Sequence, residues 1–94
     1  MINFSGQNRT VKKLLLEAAN LLDKKYDDQR QKVYFTEFIE SNELELALDS
    51  LIELSDEVDE YFEHKFWMNL KEIAIRMMLI DHMKRIDQKI SNLK

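Results

Sequence analysis

The sequence contains no proline, no cysteine and a single glycine, Gly6, among its 94 residues. Without cysteine, the chain has no disulfide framework, no thiolate zinc site and no cysteine nucleophile. Tight β-hairpins, P-loops and dinucleotide-binding loops depend on glycine at fixed positions, so their sequence signatures are absent as well. These absences favour an all-α fold whose turns are made with Asp, Asn and Ser caps.

Long apolar runs are also missing. No segment approaches the roughly 20 consecutive apolar residues that a membrane-spanning helix needs, so we expect no insertion into a membrane. The first ten residues lack the basic and then apolar pattern of a signal peptide. Hydrophobic residues make up 45% of the chain and charged residues 34%, which is typical of a globular protein. We therefore expect one helical domain over residues 1–94, located in the cytoplasm.

Lysine and arginine are absent from the middle third of the chain. Residues 33–63 carry eleven acidic side chains and no basic one, although the formal net charge of the whole chain is only −4. Residues 1–32 carry seven basic and four acidic side chains, and residues 64–94 carry seven and three. An acidic block of this size repels a phosphate backbone, which argues against direct binding of nucleic acid.

Apolar residues that recur at intervals of three and four predict a compact bundle of four to five short helices. The expected bounds are 11–25, 28–41, 43–60, 64–79 and 81–92. Thr10 is the expected N-cap of the first helix, and Asp27 and Asp28 suit the positive end of the second. Asn42 with Glu45 fits a capping box at the start of the third helix.

Three boundaries follow from other patterns. Residues 1–9 show no apolar stripe, so we expect them to be loosely ordered. Whether the third helix continues past Ser55 stays open, because Ser55 and Asp56 would also suit the start of a new helix. The apolar stripe changes phase late in the chain, which predicts a break at residues 79–81 with Asp81 as the next N-cap.

The third predicted helix carries an acidic face, formed by Glu45, Asp49 and Glu53 and extended by Asp56 and Glu60 if the helix continues. Solvated helical faces usually alternate both signs of charge, because opposite charges four residues apart stabilise a helix. A face of one sign is destabilised by its own repulsion. We therefore predict that these five residues bind a basic protein surface.

Trp67 is the expected anchor of that contact. It lies about 100° around the fourth predicted helix from Phe66, toward the edge of the apolar face. Aromatic residues near an interface rim can carry much of the binding energy. The alternative is that Trp67 fills a small core together with Tyr61, Phe62 and Phe66.

No catalytic constellation emerges from the sequence. Glu60 and His64 are four residues apart, but a metal site needs three or four ligands. His82 has no acid–base partner nearby in the sequence, and no serine or threonine occupies a nucleophile elbow. We expect no enzyme activity, no catalytic or metal-binding residue and no cofactor.

Two stretches resemble the MafI-like immunity proteins. The first is FIESNELELAL at residues 38–48, an aromatic and aliphatic helix end followed by a polar turn and Leu-Ala-Leu. The second is FWMNLKEIAIRMML at residues 66–79, a helix that ends in Ile-Ala-x-x-Met-x-Leu. The family often has glycine before the final leucine, where this chain has Met78.

The resemblance implies a small helical protein that neutralises a toxin delivered between bacteria, in Maf or contact-dependent inhibition systems. The toxins of such systems are commonly nucleases, whose clefts are basic. The family motif fixes no catalytic or toxin-contact residue, so none is transferred to this chain. The expected partner is the C-terminal domain of a cognate toxin. The alternative function is a homo-oligomeric helical adaptor, for example a homodimer, that self-associates through the apolar stripes of residues 64–93.

Overall fold

The computed structural model describes residues 5–93, and five α-helices account for most of them. No strand occurs within that range, so the predicted all-α bundle is confirmed. A 3-10 helix at Lys24–Tyr26 lies between the first two α-helices. The α-helices are α1 (Ser5–Asn20), α2 (Arg30–Glu40), α3 (Leu44–Val58), α4 (His64–Arg76) and α5 (Ile80–Ser91).

Short turns and ion pairs between helices show the relative directions of the five α-helices. The three-residue turns 41–43 and 77–79 make α2 antiparallel to α3 and α4 antiparallel to α5. Helix α1 packs against α4 and also touches α3. Asp49 and Asp56 of α3 pair with His82 and Lys89 of α5, each 33 residues later, so α3 and α5 run parallel.

Helix α3 lies at the centre of the core. Its predicted apolar stripe is buried, and Leu48, Leu51 and Ile52 are fully inaccessible to solvent. The other helices contribute the remaining large side chains, among them Leu15 of α1 and Ile86 of α5. Among residues 5–93, no helix combines the length and the apolar character needed to cross a membrane.

The first predicted helix has the wrong bounds at both ends. Helix α1 begins at Ser5, so Thr10 is inside it and residues 5–9 are helical rather than loosely ordered. Residues 1–4 lie outside the described part of the chain. The helix ends at Asn20, and the Asp23 carboxylate, which accepts a hydrogen bond from the Lys25 backbone N–H at 2.8 Å, caps the following 3-10 turn.

Other predicted caps are displaced by one or two residues. Helix α2 begins at Arg30, with Gln29 rather than Asp27 or Asp28 before it. Helix α5 begins at Ile80, so Asp81 lies in its first turn, where its charge still suits the helix dipole. The question at Ser55 is resolved, since α3 continues to Val58.

The predicted capping box at Asn42 is wrong, because Asn42 ends α2 instead of starting α3. Its φ is 59°, in the left-handed region. The Glu43 N–H donates to Phe38 O at 2.8 Å and the Asn42 N–H to Ile39 O at 3.1 Å. This is the Schellman pattern, which satisfies the last carbonyls of a helix.

The predicted break near residue 79 is confirmed, and its turn has the same Schellman pattern. Met78 has φ 58°. The Leu79 N–H donates to Ala74 O at 2.9 Å, and the Met78 N–H donates to Ile75 O at 3.1 Å. Glycine usually occupies this position, because a side chain in the left-handed region costs about 1–2 kcal/mol.

Candidate functional site

Helix α5 covers part of the predicted acidic face. His82 Nε2 lies 2.6 Å from Asp49 Oδ1, and Arg85 Nη1 lies 3.5 Å from the same oxygen. Lys89 pairs with Asp56 further along both helices. His82, Arg85 and Lys89 are three and four residues apart, so they project from one side of α5. Asp49 and Asp56 therefore help to fix α5 against α3, in addition to any external role.

Glu60 is also bonded within the chain. The buried Tyr26 hydroxyl donates a hydrogen bond to Glu60 Oε1, and Lys25 Nζ lies 3.4 Å from the same atom. The hydrogen bond from Tyr26 and the charge of Lys25 lower the pKa of Glu60 below its ordinary value of 4.5. The same hydrogen bond, with burial of the ring, raises the pKa of Tyr26 above 10.0. The bond joins the 3-10 turn to the segment after α3.

Glu57 of α3 connects the acidic helix to α2. Arg30 Nε lies 3.4 Å from Glu57 Oε2, and the Gln31 backbone N–H donates to Glu57 Oε1 at 3.4 Å. Glu57 is thus a fourth acidic residue of α3 and its C-terminal extension that is used inside the fold.

Glu45 and Glu53 differ from the rest of the predicted face, because both are exposed and neither forms an ion pair within residues 5–93. Leu46 lies next to Glu45 and is 42% exposed. Leu46 is seven residues before Glu53, so Leu46 and Glu53 lie on the same side of α3.

The exposed carboxylates without ion pairs are concentrated in residues 33–63. In the part of the chain that the structure describes, this segment holds seven exposed acidic residues that form no salt bridge. They are Glu37, Glu40, Glu43, Glu45, Glu53, Asp59 and Glu63, and we call them the open carboxylates. The basic side chains belong mainly to α1, α4 and α5, so the molecule is electrostatically polarised.

Trp67 does not lie at a rim, and that part of the prediction is wrong. Its side chain is only 1% exposed. The indole stacks with Phe62 at 6.3 Å and meets Phe66 edge-on at 5.0 Å between ring centroids. Helix α4 is packed between α1 and α5, so its buried arc is wide enough to include a residue 100° from Phe66. Trp67 also lines a cleft of about 170 Å³ beside Asp56 and Lys89. Its position supports the alternative that it fills the core with Phe62 and Phe66, whereas Tyr61, which that alternative also included, is 81% exposed.

One group of side chains has the donor types of a metal site. The ligand atoms of Glu45, Asp49 and His82 all lie within 4.8 Å of one another. Arg85 already brings a positive charge to Asp49, so the carboxylate is part of an internal ion-pair network. The partner of His82 cannot be predicted from local sequence, because Asp49 is 33 residues away. His64 is exposed at the start of α4, and Glu60 is bonded to Tyr26 instead.

Large apolar side chains are exposed at the turn between α4 and α5, which the sequence patterns do not predict. Met78 is 81% exposed, Ile75 is 49% exposed and Ile80 is 56% exposed. We call these three residues the turn patch. The signal that could have revealed it is Met78 itself, which stands where a helix end favours glycine. Tyr61, in the loop after α3, is also 81% exposed.

Compared with protein-family models, with curated proteins and with solved structures, the chain matches none of them. The resemblance to MafI-like immunity proteins therefore stays a prediction that rests on the two stretches quoted above.

Proposed function

We propose that this chain is an immunity protein that binds and neutralises a basic toxin domain. The observation that carries the proposal is the concentration of open carboxylates on α2, α3 and their turns. Charges of one sign on one side of a molecule accelerate encounter with an oppositely charged partner and exclude wrong ones. A nuclease domain suits this surface because its cleft must hold a polyanion.

Pairing inside the chain favours some of the five acidic residues over the others as partner contacts. Asp49, Asp56 and Glu60 are already paired inside the chain, so their charge is partly neutralised. Glu45 and Glu53 are exposed and form no ion pair within residues 5–93, so their carboxylates are accessible to an external surface. The proposed contact therefore centres on Glu45 and Glu53, and the cytoplasm is the proposed location because a delivered nuclease acts there.

The test reverses these charges. The double variant Glu45→Lys with Glu53→Lys is compared with Glu17→Lys with Asp28→Lys, which makes the same charge change at exposed residues outside the acidic block. The probe is the C-terminal domain of the neighbouring gene's product, in a catalytically inactive form, because that gene is where a cognate toxin would be expected. Binding is measured at low and at moderate salt.

We expect the first double variant to bind about tenfold more weakly, mainly through slower association, and to lose most of the salt dependence. The control variant should retain the affinity and the salt dependence of the parent within a factor of about two. Equal affinity and equal salt dependence for the two variants would contradict the role of the acidic surface.

The alternative proposal, a homo-oligomeric adaptor, is favoured by the exposed side chains of Ile75, Met78 and Ile80. Such apolar groups could be covered by a second copy of the chain. Light scattering over a wide concentration range distinguishes the two proposals, since a constant monomer mass is incompatible with the adaptor.

A further inference from the structure

We propose that the cleft beside Trp67 binds one guanidinium group, the charged end of an arginine side chain. The cleft lies where the C-terminal ends of α3 and α5 meet, and its volume is about 170 Å³. Sites for small-molecule ligands usually enclose roughly 300–1,000 Å³, so this cleft suits a single side chain better than a larger ligand. That the arginine belongs to the toxin domain rests on the proposed function, whereas the site itself does not.

Aromatic side chains form the apolar part of the cleft. Trp67 and Phe62 are both buried, and their rings stack with 6.3 Å between the centroids. Tyr61 also lines the cleft but is 81% exposed, so it lies at the opening. A guanidinium group is planar and weakly hydrated, and it stacks on aromatic rings more readily than an ammonium group does. The lining therefore favours arginine over lysine.

Carboxylates form the polar part of the cleft, and their charge is not balanced. Asp56 pairs with Lys89, which also lines the cleft, and Glu60 pairs with Lys25 at 3.4 Å. Asp59 is exposed and forms no ion pair within residues 5–93. These five side chains therefore carry one negative charge in excess. A ligand with a single positive charge compensates it, and a guanidinium group can donate two parallel hydrogen bonds to one carboxylate.

The position of the cleft connects it with the acidic surface. Asp59 is one of the open carboxylates, so the cleft opens beside the surface that is proposed to meet the partner. Arginine is among the residues that carry most of the binding energy at protein interfaces, mainly when it fills a pocket of the partner. An arginine held in this cleft would slow dissociation, while the other open carboxylates accelerate the encounter.

The backbone at Asp59 allows a variant that changes charge without changing the fold. Its φ is 51°, in the left-handed region, which asparagine adopts as readily as aspartate. Asp59→Asn therefore removes the charge and keeps the turn. Glu43→Gln is the matched control, because Glu43 is also an open carboxylate but lies at the opposite end of α3.

The first measurement uses Trp67 as the reporter. It is the only tryptophan of the chain, so its fluorescence reports on the cleft. The probes are the N-acetyl amides of arginine, lysine and citrulline. Citrulline has nearly the shape of arginine but no charge, so it separates recognition of charge from recognition of shape.

We expect the arginine amide to change the fluorescence of Trp67 at about millimolar concentration, as suits a ligand of this size. The lysine amide should bind about fivefold more weakly and the citrulline amide about tenfold more weakly. Asp59→Asn should weaken binding of the arginine amide roughly tenfold, and Glu43→Gln should keep it within about twofold.

The second measurement identifies the source of the arginine. Both variants are tested for thermal unfolding and for binding to the inactive domain from the neighbouring gene's product. We expect Asp59→Asn to unfold at the parent's temperature and to bind roughly tenfold more weakly through faster dissociation, with Glu43→Gln within about twofold of the parent. If the arginine amide binds through Asp59 but Asp59→Asn does not weaken binding of the domain, the cleft serves a free arginine derivative instead.

Two results would overturn the inference. Equal binding of the arginine and citrulline amides would show that the cleft does not recognise a guanidinium charge. No response of Trp67 to the arginine amide, together with unchanged binding of the domain to Asp59→Asn, would show that the cleft is not an arginine site. In that case a loss of binding in Glu45→Lys with Glu53→Lys would leave the proposed function standing. If the parent binds the arginine amide but not the domain, the cleft is a guanidinium site and the proposed function fails.

Discussion

The turn between α2 and α3 and the turn between α4 and α5 have nearly identical backbones but different residues. The φ angle is 59° at Asn42 and 58° at Met78. Each is followed by a residue with φ −95°, and the two ψ angles there are 78° at Glu43 and 85° at Leu79. Asparagine is one of the few residues that enter the left-handed region readily, and methionine is not.

The residue after the left-handed position explains how the second turn forms nevertheless. Leu79 is half-buried and packs against the core, in the way that hydrophobic contacts commonly accompany a Schellman turn. Glu43, at the corresponding place in the first turn, is exposed. The first turn is therefore favoured by its own residue at the left-handed position, and the second by packing of the residue that follows.

The largest effect is expected when the packing of the second turn is removed. Leu79→Ala should lower the free energy of unfolding by about 2 kcal/mol, because it leaves a partly buried cavity beside the core. Glu43→Ala, the same truncation in the first turn, should change it by less than about 0.5 kcal/mol. Urea unfolding measures both, and equal losses would show that the two turns are stabilised alike.

Met78→Gly is expected to have the next largest effect and the opposite sign. It should raise the free energy of unfolding by about 1 kcal/mol, because glycine accepts the left-handed backbone without a steric cost. Met68→Gly is the control, since Met68 is an exposed residue inside α4, where glycine destabilises a helix by about 1 kcal/mol. A loss of stability for both variants would contradict the strain assigned to Met78.

The C-terminal end of α3 also has a residue with positive φ, but there a side-chain hydrogen bond stabilises the segment that follows. Asp59 ends α3 with φ 51°, and the next residue, Glu60, accepts the hydrogen bond from Tyr26. Because the pKa of Glu60 is lowered, its contribution to stability is present above pH 4.5 and is lost as the pH falls through its folded-state pKa. This helix end should therefore respond to acid.

Tyr26→Phe removes the main cause of that lowered pKa. The variant should be less stable than the parent near pH 7, and the difference should shrink as the pH falls below 4.5. Thermal unfolding from pH 3 to pH 7 measures it. Tyr34→Phe is the control, because Tyr34 is exposed and its hydroxyl forms no hydrogen bond within residues 5–93. If the stability difference between Tyr26→Phe and the parent stays constant with pH, the hydrogen bond from Tyr26 to Glu60 does not have the proposed role.

The smallest effect is expected at the first turn. Asn42→Gly should change the free energy of unfolding by less than about 0.5 kcal/mol, because asparagine already tolerates this backbone and glycine has more freedom to lose on folding. If urea unfolding shows a gain as large as that of Met78→Gly, then asparagine is as strained here as methionine.

The helices could be predicted from sequence because apolar spacing is local. The stripe of Leu44, Leu48 and Leu51 identified α3, and the phase change near residue 79 identified the second turn. Asn42 was assigned to the wrong helix, because asparagine suits both an N-cap and a left-handed helix end. Only the bond from the Glu43 N–H to Phe38 O distinguishes them.

The candidate site was less predictable, because its pairs are distant in the chain. The acidic composition of α3 was evident, but the pairing of Asp49 with His82 and of Asp56 with Lys89 depends on how α5 docks. The helical angle of Trp67 predicts a rim position, because that angle does not reveal how many helices surround α4. The turn patch cannot be predicted because no local rule tells how exposed Met78 is.

The parallel docking of α5 on α3 has a consequence for the order in which the protein folds. Until α5 docks, Asp49 and Asp56 lack the α5 side chains with which they pair. In that state the surface of α3 is more negative than in the folded protein, and the place of Ile86 in the core is empty. Docking of the last helix therefore fills the core and neutralises that edge of α3 in one step.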